Sequence, residues 1–181
     1  LEKLPGYKPS DYSSDSLHYK VGEVRFLNGE YEKAIDAFSA YIQKFPLGFY
    51  ATQASYYRGE SYAVLKKYTE ALKDYEKVIA AQNSSFFESS LKKAALITYN
   101  HTMNYTLSYT YYDQYFNAGS VISEKIWAAS GAMRSAFKNN DFNNVVKHGQ
   151  FLTDQSLVEN EEKTVAFFFM GKSAYLNKNY E

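Results

Sequence analysis

The chain has 181 residues, of which 45% are hydrophobic and 18% aromatic, including 19 Tyr and 13 Phe; so much apolar surface excludes global disorder and supports a folded domain. Twenty Lys plus Arg against twenty Asp plus Glu give zero formal net charge, without the basic footprint of a nucleic-acid binder, so no nucleic-acid partner is expected. The absence of Cys excludes disulfides and thiolate metal sites, and the longest strongly apolar run, Val165 to Met170, is far shorter than the roughly 20 residues a membrane-spanning helix needs.

Residues 1–14 read as an N-terminal extension. They open on Leu1 with no signal-peptide pattern, so a targeting segment or lipid anchor would have to precede them. Helices are then predicted at 15–28, 31–45, 49–65, 68–82, 86–102, 105–118, 121–138, 142–153 and 160–177. Asn28-Gly29 can supply the left-handed residue that ends the first helix, and Pro46 stops the second. Over Tyr105 to Tyr115 the alternation of Thr, Tyr and Ser also suits a strand, but the register described next argues for a helix.

That register is carried by aromatics following short polar turns. Tyr31, Tyr68, Tyr105 and Phe142 are spaced by 37 residues each time, and Tyr180 comes 38 after Phe142. Ala34, Ala71 and Ser108 are small, with Phe38, Tyr75 and Tyr112 four residues beyond them. Gly22, Gly59 and Gly171 stand nine residues ahead of Tyr31, Tyr68 and Tyr180. Small residues at such positions let the two helices of a pair approach closely. The register predicts that Tyr68 is buried in an inter-helix contact.

These residues resemble the tetratricopeptide repeat, with its Gly-x2-Tyr in a first helix and Ala-x3-aromatic with a late Pro in a second. Gly59-x2-Tyr62 with Ala71-x3-Tyr75 matches in one repeat, and Ala34-x3-Phe38 with Pro46 in another. Farther along, Leu96 and Met133 replace the glycine and Gly149 replaces the aromatic. The resemblance implies an all-α superhelical solenoid of antiparallel helix pairs, about nine helices, with repeats at about 15–48, 49–85, 86–120, 121–158 and an incomplete 159–181. A repeat of 37 rather than the usual 34 residues places the extra length in links such as Leu47 to Gln53. The stretch from Phe45-Pro46 through Tyr50-Ala51, Gln53-Ala54, Tyr57 and Gly59-Glu60 to Tyr62 also looks like bacterial periplasmic proteins of the Tol-Pal coordination and β-barrel assembly lipoprotein kinds. That likeness implies a place in the bacterial periplasm or on the periplasmic face of the outer membrane, the alternative being cytoplasmic.

In this family the first helices line a concave groove that holds a protein or peptide. Residues four and then three apart share a helix face, and the resemblance carries the partner-binding role onto Tyr19, Glu23 and Phe26, onto Tyr56 and Glu60, onto Lys93, Ile97 and Asn100, onto Arg134 and Phe137, and onto Phe168, Lys172 and Tyr175. The face is acidic in the first two repeats and basic in the later three. Glu23 and Glu60, where a carboxylate clamp would need Lys and Asn, argue against a chaperone-tail receptor. Alternatives are a glycan-contacting accessory domain of a larger envelope enzyme, its aromatics stacking on sugars, and self-association through the incomplete last repeat, where Phe167 and Phe169 lack cover.

No catalytic role is expected. Of His18, His101 and His148, only His18 has a carboxylate at helical metal-binding spacing, Asp15 three residues before it, and two groups do not make a site, so neither metal nor cofactor is expected. Gly171-Lys172-Ser173 imitates the end of a phosphate-binding loop, but Ala166 stands where that loop needs glycine. Glu161-Glu162 and Asp15 sit at predicted helix starts, where negative charge favours the helix dipole. Asn83-Ser84-Ser85, Asn100-His101-Thr102 and Asn104-Tyr105-Thr106 fit the glycosylation pattern and receive no role.

Overall fold

A computed structural model describes residues 9–82 and 84–177. These residues form nine α-helices and no strand: α1 (Pro9–Leu27), α2 (Tyr31–Lys44), α3 (Ala51–Val64), α4 (Tyr68–Ala80), α5 (Phe87–Asn100), α6 (Tyr105–Ala118), α7 (Ile122–Lys138), α8 (Phe142–Asp154) and α9 (Asn160–Leu176). Tyr105 to Tyr115 is helical, so the strand pattern there does not form. The first helix begins at Pro9 rather than at 15, taking in part of the expected extension; Pro at a helix start loses no hydrogen bond, because its missing N–H would have had no intrahelical acceptor. The expected fifth aromatic, Tyr180, lies outside the described residues.

The chain falls into two compact units, Leu1–Ser90 and Leu91–Glu181. In the first, α1 packs on α2, α2 on α3 and α3 on α4, with α1 also touching α3. In the second, α6 packs on α7, α7 on α8 and α8 on α9, with α7 also touching α9. Each is a succession of antiparallel helix pairs.

The repeat is visible in the backbone. Gly29, Lys66, Met103 and Asn140, each two residues before the recurring aromatic, all have positive φ, at 74°, 59°, 52° and 56°. Turning the chain there lets the next N–H reach back into the finished helix: Glu30 N donates to Arg25 O, Lys67 N to Tyr62 O and Asp141 N to Ala136 O, each at 2.9 Å. In the third repeat the reach is one residue longer, Asn104 N donating to Thr98 O at 2.9 Å. Asn104 and Asp141 then cap the following helix through Leu107 N and Asn144 N. Only the first turn has glycine; Asn140 is tolerated in the left-handed region, whereas Lys66 and Met103 are strained there. Lys66→Gly should therefore stabilise the protein by roughly 0.5 to 1 kcal/mol, and Lys66→Ala by nothing measurable, in urea unfolding followed by circular dichroism.

Three positions after each turn build the core. Ala34, Phe38 and Tyr41, then Ala71, Tyr75 and Val78, then Ser108, Tyr112 and Tyr115, then Val145, Gly149 and Leu152 are all buried, following the i, i+4, i+7 stripe of an amphipathic helix. The turn aromatics Tyr31, Tyr68, Tyr105 and Phe142 are only half-buried, which corrects the expected full burial of Tyr68: a residue at the first helical position lies at the edge of the pair.

Glycines and large side chains complement one another across the pairs. A Cβ at Gly22 would stand 2.5 Å from the Phe38 ring, and one at Gly59 would stand 3.1 Å from that of Tyr75. In the fourth pair the order inverts. Met133 occupies the first helix and Gly149 the second, where a Cβ would meet Met170 Cγ at 2.7 Å and Met133 Sδ at 3.6 Å. In the third pair, Leu96 and Tyr112 are both large, and Tyr112 turns its ring onto Gly131 of α7. The departures from the expected motif are thus volume exchanges, which close-packed interiors tolerate best.

Candidate partner-binding face

The expected face residues divide into those that pack and those that reach the surface. Tyr19 is 1% exposed, stacked on Tyr50 with ring centroids 4.5 Å apart and edge-on to Tyr41, so it belongs to the core and not to a binding face. Its hydroxyl donates to Glu23 at 3.2 Å, and Lys20 pairs with the same carboxylate. Ile97, 5% exposed, is likewise core. Tyr56 is half-buried, stacked on Phe86 at 4.4 Å, and burial pushes its hydroxyl pKa up to about 12. The Tyr19–Tyr50 and Tyr56–Phe86 stacks have the same form: a first-helix tyrosine clamps an aromatic at the entrance to the next repeat. Phe26, half-buried, packs on Tyr31 and Tyr57. The expected acidic face is partly internal, since Glu60 accepts from the buried Tyr75 hydroxyl as Glu23 does from Tyr19. Lys93 is half-buried and Asn100 exposed on α5.

Sequence reasoning missed the strongest polar contact of the first unit. Arg58 of α3 donates through Nε and Nη2 to the two oxygens of Asp74 on α4, both at 2.7 Å, and through Nη1 to Ser39 Oγ of α2 at 2.9 Å. Their side chains are 13% and 3% exposed. One side chain thereby ties three successive helices. Asp15 plays a similar part from α1, accepting from Phe49 N at 2.9 Å and so fixing the link into α3, while Tyr50 N donates to Tyr41 Oη at 3.0 Å. The visible signal was an aspartate flanking the apolar stripe of α4.

In the second unit, four expected residues do come together, across α7 and α9. Arg134 donates to both carboxylate oxygens of Glu162, at 2.9 and 3.0 Å, and Ser130 Oγ donates to the same group at 2.7 Å. Phe137 meets Phe169 edge-on at 4.8 Å. Lys172 Nζ lies 5.5 Å from the Phe137 ring centroid and 5.7 Å from that of Phe168, within cation–π range of both. Phe168 is 61% exposed and Tyr175 68%. The result is a surface patch in which Arg134 is already paired, Lys172 hovers over two rings, and Phe168 faces outward.

Also in the second unit, His148 of α8 is wholly buried between the rings of Tyr109 and Phe116, with Nε2 3.0 Å from Asp113 Oδ1. Asp113 also accepts from Lys147 at 2.7 Å. Burial lowers the imidazole pKa and outweighs the neighbouring carboxylate. A histidine whose folded pKa lies below its unfolded value near 6.5 gives stability that is complete above about pH 6.5 and is lost as pH falls through the folded value. His148→Leu should therefore flatten the loss of stability between about pH 7 and 5 in unfolding titrations; an unchanged slope would mean other groups set it.

The tetratricopeptide-repeat family model matches residues 15–47 and 53–82, spanning α1 to α4. No curated protein matches the chain. Among solved structures, the nearly identical TPR-like repeats assigned to a Podosopora anserina kinesin light chain are similar, with a TM-score of 0.57 and 13% identity over 93% of this chain and 89% of that one. At that identity the likeness establishes the fold, all-α tetratricopeptide-type helix pairs.

Proposed function

We propose that this chain, whose residues 15–47 and 53–82 are tetratricopeptide repeats, is a protein-interaction scaffold that binds a protein or peptide partner rather than catalysing a reaction. The observation that carries the reading is the α7–α9 patch, where Lys172 stands over Phe137 and the exposed Phe168. Aromatic side chains are frequent interface hot spots, and a cation held beside them complements a carboxylate on an incoming chain. The side chains of the patch are positioned by packing within the unit, so binding requires little ordering of the receptor.

The test is affinity capture from the source cells with the wild type and with Phe168→Ala/Lys172→Glu as paired baits. A polypeptide retained by the wild type and lost from the double variant supports the reading. Equal retention, or a peptidoglycan fragment as the only species lost, opposes it. We further propose a bacterial cell-envelope setting, supported by the Phe45 to Tyr62 resemblance. Recovery of the native protein solely in the cytosolic fraction would overturn that setting and leave the scaffold reading intact.

A further inference from the structure

The 37-residue spacing of the turns also places two aromatics in the links between repeats. Phe49 stands just before α3 and Phe86, 37 residues on, just before α5. Together they line one cleft of 380 Å³, with Thr52 and Gln53 from the first turn of α3 and Ser84 and Ser85 from the link before α5. All six residues belong to the first unit. Both aromatics are held in place from within it. Asp15 of α1 accepts from Phe49 N at 2.9 Å, and the Phe49 ring meets Tyr50 edge-on at 4.9 Å. Phe86 stacks on Tyr56 at 4.4 Å, and its N–H donates to Ser84 Oγ at 3.1 Å. Phe49 nevertheless stays 50% exposed, so its position is fixed while half of its surface is left open. The cleft lies near the lower end of the range of about 300 to 1,000 Å³ typical of small-molecule sites.

We propose that this cleft binds one or two uncharged sugar rings of a glycan, with Phe49 as the stacking surface and Thr52, Gln53, Ser84 and Ser85 as partners of the sugar hydroxyls. The chemistry of the lining selects that class. A pyranose has a face of C–H groups, which the negative face of an aromatic ring attracts, and a rim of hydroxyls that need both donors and acceptors. Three side-chain hydroxyls and a carboxamide offer both. A peptide backbone brings one donor and one acceptor per residue, whereas each sugar ring carries several hydroxyls to match these four side chains. No charged side chain lines the cleft among the described residues, so an ionised ligand would shed water without meeting a counter-charge. Lys77, in a smaller cleft that shares Thr52, is paired with Asp74 at 3.2 Å. The site involves none of the α7–α9 residues and is independent of the scaffold reading.

The test is saturation-transfer NMR on the full 181-residue chain, with cellobiose, maltose and di-N-acetylchitobiose as probes at millimolar concentration. Transfer to the ring protons of at least one disaccharide is expected, cut at least fivefold by Phe49→Ala and by Gln53→Ala, kept by Phe49→Trp, and unchanged by Phe168→Ala/Lys172→Glu. Both truncations should fold normally, as circular dichroism can verify: Phe49→Ala keeps the backbone N–H that donates to Asp15, and alanine favours a helix at position 53. No transfer to any of the three sugars, or transfer that survives Phe49→Ala, overturns the proposal. So does transfer of the same size to glucuronic acid, because the cleft would then not exclude charge. Transfer to a capped Ala-Ser-Ala peptide that Phe49→Ala removes also overturns it, because a polypeptide would then be the occupant. Failure here, with capture still dependent on Phe168 and Lys172, removes this inference and leaves the scaffold reading standing.

Discussion

Asp74→Ala should destabilise the protein by about 3 to 5 kcal/mol, because it strands Arg58 as an unpaired cation between three helices. The guanidinium makes a two-pronged contact with Asp74 and a third bond to Ser39, in a place that is 13% exposed on the arginine side and 3% on the aspartate side. Removing the carboxylate leaves the desolvation cost of the charge and cancels its return. Arg58→Met combined with Asp74→Leu removes both charges and keeps most of the volume, so the double variant should recover most of the loss. Urea midpoints followed by circular dichroism decide the matter. A double variant as unstable as Asp74→Ala would show that packing lost with the arginine stem, and not charge, dominates.

Phe38→Ala should cost about 3 to 5 kcal/mol, the range for truncating a fully buried phenylalanine. The ring is enclosed by Tyr19 at 5.9 Å and Tyr57 at 6.3 Å and lies against Gly22, where no side chain stands ready to move into the space. Tyr68→Ala should cost less than half as much, since Tyr68 is half-buried at the edge of its pair. Equal losses would mean that the turn aromatics carry as much of the core as the positions seven residues after them.

That contrast shows what was legible in the sequence. The 37-residue spacing of Tyr31, Tyr68, Tyr105 and Phe142 located eight of the nine helices to within about two residues, because each turn restarts the count. The same aromatics overstated their own burial: a residue that recurs marks a turn as readily as a core. The left-handed conformations at Lys66 and Met103 were hidden, since only Gly29 and Asn140 carry residue types that favour one. For the proposed face, helical spacing put Arg134 and Phe137 on one helix and Phe168 and Lys172 on another, and the structure brings those two helices together. It could not distinguish a residue that points at the next repeat from one that points outward, which depends on helix rotation. Tyr19 and Ile97 were lost to the core for that reason, and Arg134 to its pairing with Glu162.

The central claim, that the α7–α9 patch receives a protein, is tested most directly by photo-crosslinking in the source cells, with a photoreactive phenylalanine at position 168 and, as reference, at the more exposed position 47 in a link of the first unit. The account predicts a discrete polypeptide adduct from 168 that is absent from 47 and is diminished by Lys172→Glu. Adducts of the same species and yield from both positions, or none from 168 while 47 reacts, would contradict it.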